Sequence, residues 1–218
     1  MHTSKRTLER EQSKGEELAN SISHALGMLV ALIGAPILIV HAVRLYEAAF
    51  VVGVSIFVTT VILLYLASSL YHALPAGRAK RVFRVLDHAS IFLLIAGTYT
   101  PFTLGVLYGA WGWTLFGLVW SMAVLGVVCK AVGKPSHPML STGLYLLMGW
   151  LVVVAIRPML DKVPLAGLLW LLAGGLFYTV GVGFFATDSR LRYGHFVWHL
   201  FVMAGTVCHY VAVYGYAA

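Results

Sequence analysis

Seven long apolar stretches, parted by short polar or proline-containing breaks, account for almost the whole chain. They are His24 to Val43, Ala48 to Leu74, Leu86 to Leu107, Trp111 to Val132, Leu140 to Ile156, Leu165 to Phe185 and Tyr193 to Tyr214. Each approaches or reaches the ~17 to 25 residues a helix needs to cross a hydrocarbon core of about 30 Å, the fifth being the shortest. The pattern predicts an all-α integral membrane protein, a bundle of seven transmembrane helices. It divides the chain into a short polar N-terminal segment, 1–23, and one helical membrane domain, 24–218, with no room for an appended soluble module.

Composition strengthens this picture: 60% of the 218 residues are hydrophobic and only 11% are charged, against roughly 25% charged in a soluble domain. The first 23 residues are polar rather than the apolar core of a cleavable signal, so the first span is expected to act as its own insertion signal. Cys129 and Cys208 fall near opposite ends of their helices, which argues against a disulfide.

The net charge of +7 invites a nucleic-acid reading until the cations are assigned to loops. With the N-terminus inside, Lys5, Arg6, Arg10, Lys14, Arg78, Lys80, Arg81, Arg84, Lys130, Lys134, Arg190 and Arg192 fall on the inner side. Only Arg44, Arg157 and Lys162 of the fifteen Lys and Arg residues fall outside. Because cytoplasmic loops carry the excess of Lys and Arg, this predicts a cytoplasmic N-terminus, an outer C-terminus and a multi-pass protein of the cell membrane. Nucleic acid is not an expected partner, and oligomeric state is left undetermined.

Most prolines fall in or beside loops, including Pro75, Pro135, Pro138, Pro158 and Pro164. Pro36 and Pro101 are exceptions, and Thr98 and Thr100 are placed to satisfy the carbonyl that Pro101 frees. Gly105 and Gly109, and Gly174, Gly175, Gly181 and Gly183, read as close-packing positions. Trp111, Trp113, Trp150, Tyr214 and Tyr216 fit an interfacial belt.

Histidines inside membrane spans demand a partner. His195 and His199 stand i, i+4 on the seventh span, about 6 Å apart on one helical face. The orientation places them near the inner membrane face, at the depth of His72 at the end of the second span and Asp87 at the start of the third. Three neutral imidazoles with an open position describe a catalytic zinc site, in which the metal lowers the pKa of bound water towards ~7. The expected metal ligands are therefore His72, His195 and His199, and the expected cofactor is Zn2+. Asp87 is either a fourth ligand or the group that holds and deprotonates the water, and the second reading is favoured because a closed four-ligand shell would leave no vacancy for substrate. Ser68, one turn before His72, is read as a donor to a substrate oxygen or developing oxyanion.

Glu17, Asn20 and His24, spaced E-x-x-N-x-x-x-H, are read as a cap and interhelical polar bracket rather than as outer partners of the ligands. His88 points about 100° away from Asp87 on a helix, against shared coordination. His209 is read as a structural hydrogen bonder, and His41 and His137 as solvent-explained.

Four segments together carry a resemblance: E-L-A-N-S-I-S-H (Glu17 to His24), S-S-L-Y-H (Ser68 to His72), L-D-H-A-S-I-F-L-L-I-A-G-T-Y-T-P-F (Leu86 to Phe102) and H-F-V-W-H (His195 to His199). In these the chain resembles the hemolysin III proteins, bacterial members of the progestin and adipoQ receptor superfamily. The resemblance implies a seven-helix fold with an internal N-terminus and a zinc held by His72, His195 and His199. It also implies that Asp87 contacts a zinc-bound water and that Ser68 is the serine of an S-x-x-x-H motif. Receptor relatives and the more distant alkaline ceramidases imply hydrolysis of a lipid amide or ester with release of fatty acid, making a membrane lipid the expected substrate or ligand. The hemolysin name implies instead cytolysis through a pore, although the spans lack a repeated polar stripe. A third implication is a membrane-state sensor or receptor whose metal only braces the bundle.

Overall fold

The computed structural model describes residues 10–132 and 138–218. Lys5, Arg6, Lys134, Pro135 and His137 therefore lie outside the described residues. Seven helical segments are long and apolar enough to cross a membrane, and there is no strand among the described residues. The protein is a multi-pass membrane protein.

Helix α1 runs Lys14–Leu45, α2 Ala48–Ala73, α3 Arg78–Leu104 and α4 Ala110–Ala131. The fifth span comprises α5 (Pro138–Gly149), a 3₁₀ turn (Leu151–Ala155) and α6 (Ile156–Lys162), followed by α7 (Leu165–Thr187) and α8 (Gly194–Tyr216). Short connections force antiparallel neighbours. Hence α1, α3 and α8 begin at the end of the bundle where α2 finishes.

Helix α1 starts well before His24 because Ser13 caps it. The Ser13 side chain accepts from the Glu16 backbone N–H while the Glu16 carboxylate reaches back to the Ser13 N–H, a reciprocal capping box that satisfies otherwise orphaned donors. At the other end of the chain, the Val106 N–H donates to the Ala217 carbonyl at 2.8 Å.

The apolar segments of α2 and α8 are half buried, whereas that of α7 is only 17% buried. The first two therefore form the centre and α7 a flank. Gly174 and Gly181, seven residues apart on one face of α7, let α8 approach closely; a Cβ on Gly181 would lie 2.7 Å from Phe201 Cβ and 2.8 Å from Trp198 Cε3. Gly175 and Gly183 face open space. Only half of the expected glycine stripe is packing. Gly109 is a turn residue, at φ +118° with nothing near its Cβ position.

Pro36 and Pro101 are inside α1 and α3. Thr98 and Thr100 donate to the carbonyls of Leu94 and Ala96, each to its own preceding turn. Neither serves the carbonyl of Gly97 that Pro101 frees, so the expected compensation does not occur. The fifth span is longer than its apolar pattern suggested and is not one helix. Its break is served by Tyr99 of α3: the Tyr99 hydroxyl accepts from Val152 N–H at 2.9 Å and lies 3.0 and 2.8 Å from the carbonyls of Met148 and Gly149. Irregular backbone at membrane depth survives where protein groups replace the lost ladder. Trp150 consequently lies mid-span rather than in an interfacial belt, with its indole N–H on Thr179 Oγ1 at 3.1 Å.

Candidate metal centre

The antiparallel arrangement delivers the last turn of α2 and the first turns of α3 and α8 to one layer. His72, His195 and His199 meet there, with ring centroids 5.0, 5.1 and 4.8 Å apart. All three are buried, and one possible ligand atom from each lies within 4.8 Å of the others. The three histidines singled out by spacing therefore converge, in a set that could hold a metal ion.

Their outer bonds show which nitrogen each ring offers. His72 Nδ1 lies 2.7 Å from Glu17 Oε2, His195 Nδ1 2.8 Å from Asp188 Oδ2, and His199 Nδ1 3.2 Å from the Asn20 carbonyl and 3.1 Å from Ser23 Oγ. Each Nδ1 thus has an acceptor for its proton, which leaves each Nε2 as a lone-pair donor. This is the usual tautomer and support of metal-binding imidazoles. His72 Nε2 is buried without a hydrogen-bond partner. An orphaned buried acceptor costs about 1–3 kcal/mol, so a cation at this point fits the residues present.

Glu17 is itself anchored by the Lys80 ammonium at 2.9 Å. Glu17 and Asn20 thus form the expected interhelical bracket, and the groups it holds are two of the candidate ligands, His72 and His199. The His24 ring stacks on His199 at 3.6 Å with planes 7° apart, with Tyr65 5.0 Å away. Asp188 escaped sequence reasoning altogether. Its one signal is a carboxylate in the short turn before α8, seven positions ahead of His195.

Asp87, in the third turn of α3, is buried with Ser68 and His195 as polar neighbours. Ser68 is fully buried, with the Asp87 carboxyl as its polar neighbour. His88 is not among the grouped ligands. Away from this layer, His209 Nε2 lies 3.3 Å from the Leu171 carbonyl and His41 stacks on Tyr214 at 4.1 Å. Cys129 and Cys208 are both free.

A cavity of about 330 Å³ leads away from the histidine layer, within the ~300–1,000 Å³ range of small-molecule sites. Asp87, His195 and His199 line one end, and Phe102, Leu115 and Met159 line the deeper part. Asp87 and Phe102 both face it from α3, so it extends roughly 22 Å at ~1.5 Å per residue.

Fold and site together define a seven-helix membrane protein with a buried three-histidine centre able to take a metal ion. The family described as "Haemolysin-III related" matches residues 12–210. The chain is 40% identical over 201 residues to Hemolysin-3 of Bacillus cereus, covering 92% of this chain and 91% of that one. To the Hemolysin-3 homolog of Bacillus subtilis it is 38% identical, covering 92% and 94%. To the human monocyte to macrophage differentiation factor it is 26% identical over 212 residues, covering 92% and 84%. The chain belongs to the hemolysin III family. No solved structure matches it.

Proposed function

We propose that the protein is a zinc-dependent membrane hydrolase acting on a lipid amide or ester. The observation that carries this reading is one cavity with a chemical end and a greasy end: two of the three clustered imidazoles, His195 and His199, and the Asp87 carboxyl open onto a long apolar chamber, with His72 closing the cluster behind them. Three nitrogen ligands without thiolate suit zinc among the divalent metals. Bound there, zinc supplies Lewis acidity that lowers the pKa of a water towards ~7.

The chain's own groups do the rest. Asp87 orients the attacking water, accepts its proton on a carboxylate oxygen and returns it to the amine or alkoxide that departs as the scissile C–N or C–O bond breaks. The Ser68 hydroxyl donates to the substrate carbonyl oxygen as negative charge develops there, a role that matches its fully buried place beside Asp87. The apolar wall takes the acyl chain out of water and positions the scissile carbonyl at the histidine layer. Twelve of the fifteen Lys and Arg residues lie on the N-terminal side by the loop assignment, so this layer belongs near the cytoplasmic face.

The test is fatty-acid release from N-acyl and O-acyl lipids by purified protein, native and as His195→Ala and Asp87→Asn. Release is expected from the native protein, none from His195→Ala, and about 10²- to 10⁴-fold less from Asp87→Asn, the usual worth of a general base. Native protein that holds stoichiometric zinc yet frees no fatty acid from any of these lipids would refute the hydrolase and leave a metal-braced sensor.

A further inference from the structure

We infer that Glu16, which touches none of the three histidines, is a positioning residue for the metal centre, acting through the turn that carries His195 and its partner Asp188. The inference rests on the reading that the three histidines hold a metal.

Glu16 is only 2% exposed, at the start of a helix whose other first-turn residues meet solvent. A buried carboxylate is tolerated only when its lone pairs are filled. Here they are filled from both sides of the bundle's edge. Arg10 makes a two-pronged bond to Glu16, Nη1 to Oε2 and Nη2 to Oε1, both at 2.7 Å. Ser13 adds its backbone N–H and hydroxyl to Oε2, each at 2.9 Å. The remaining bond reaches across the molecule: the Tyr193 N–H donates to Glu16 Oε1 at 2.8 Å.

Tyr193 is the residue from which α8 starts, two positions before His195. It holds a left-handed backbone with φ 60°, the one such non-glycine residue among those described. A bulky side chain in that region is strained and persists only when its surroundings fix it. Glu16 supplies that fixing bond. Arg10 Nη2 adds a second tie, to the Leu191 carbonyl at 3.3 Å in the same turn. Asp188, at the turn's other end, holds His195 Nδ1.

Other residues of α1 act on the remaining ligands, since Glu17 holds His72 and the Asn20 carbonyl holds His199. Glu16 completes the set, so the N-terminal turns of α1 brace all three imidazoles. A helix start docked through one carboxylate and a metal centre that needs the docked geometry stabilise each other reciprocally.

The experiment is zinc affinity, measured by chelator competition on detergent-purified full-length native protein, Glu16→Gln and Ser21→Ala. Gln keeps one acceptor oxygen but presents an amide where Oε1 or Oε2 accepted from Arg10. Ser21→Ala removes a different α1 contact, its hydroxyl bond to the Ser69 carbonyl at 3.0 Å, and serves as the control for general loosening of α1. Outer supports of metal ligands are worth about 10- to 100-fold in affinity. Glu16→Gln is expected to fall in the lower part of that range and Ser21→Ala to bind as tightly as native.

Cobalt-substituted protein supplies the second readout. The visible ligand-field bands of Glu16→Gln are expected to shift because the His195 geometry relaxes, while those of Ser21→Ala stay put. Equal affinity and identical bands in Glu16→Gln and native protein would overturn the inference while leaving the metal site intact. Equal weakening by both substitutions would overturn it as well, since that marks Glu16 as one of many contacts. Native protein that takes up neither metal would sink the site reading and this inference together.

Discussion

Asp188 offers the sharpest test of how the candidate metal centre is held. Its Oδ2 receives the Nδ1 proton of His195 at 2.8 Å, with 27% of its side chain exposed. Replacing it with alanine leaves that N–H without a protein acceptor, frees the ring to rotate and removes a negative charge that raises the basicity of Nε2. Loss of such a partner weakens metal binding by roughly 10- to 100-fold, or about 1.4 to 2.8 kcal/mol. Partial exposure lets water replace the lost acceptor, which places Asp188→Ala in the lower half of that range. Asn at the same position keeps an acceptor oxygen but not the charge. The gap between charged and neutral hydrogen bonds, about 1 kcal/mol, makes Asp188→Asn roughly fivefold weaker than native. Chelator-competition titration of the three purified proteins orders them native, Asn, Ala. An Asp188→Ala protein that binds zinc as tightly as native, or an Asn variant weaker than the Ala variant, refutes the assignment of Asp188 as the support of His195.

Three further outcomes follow from contacts already described. His72→Ala is expected to abolish stoichiometric zinc in elemental analysis, since two imidazoles remain; retention of one zinc per chain would show that other groups hold it. Tyr99→Phe strips the acceptor from Val152 N–H and the donor from a carbonyl of the broken fifth span, a loss of about 1–3 kcal/mol per unsatisfied buried group, read as a lower melting temperature in detergent. An unchanged melting temperature would mean that the break is held by other groups. Gly181→Ala puts a methyl against Phe201 and Trp198 and is expected to cost about 1–3 kcal/mol by prising α7 from α8, seen in the same melt.

The spans and the convergence of the three histidines were legible because each has a strong local or one-dimensional signal. Apolar length announces a span, and the reversal of direction at each short connection brings His72, Asp87, His195 and His199 to one end of the bundle. The hydrogen-bond partners of these histidines were not legible in the same way. Glu17 is separated from His72 by 55 positions, and its spacing with Asn20 and His24 looks as much like a helix cap as like a second tier around a metal. Asp188 becomes meaningful only once the chain has reversed and α8 has begun. The broken fifth span was hidden for another reason: its residues are apolar enough for an unbroken helix, and the group that permits the break, Tyr99, belongs to α3.

That single phenol serves backbone groups on both sides of the break, and the same tyrosine also faces the long chamber. The fifth span is thereby divided into two stiff panels joined at one pivot. Room for a thicker or kinked guest has to be made at Tyr99, instead of being spread as a slight bow along a continuous rod.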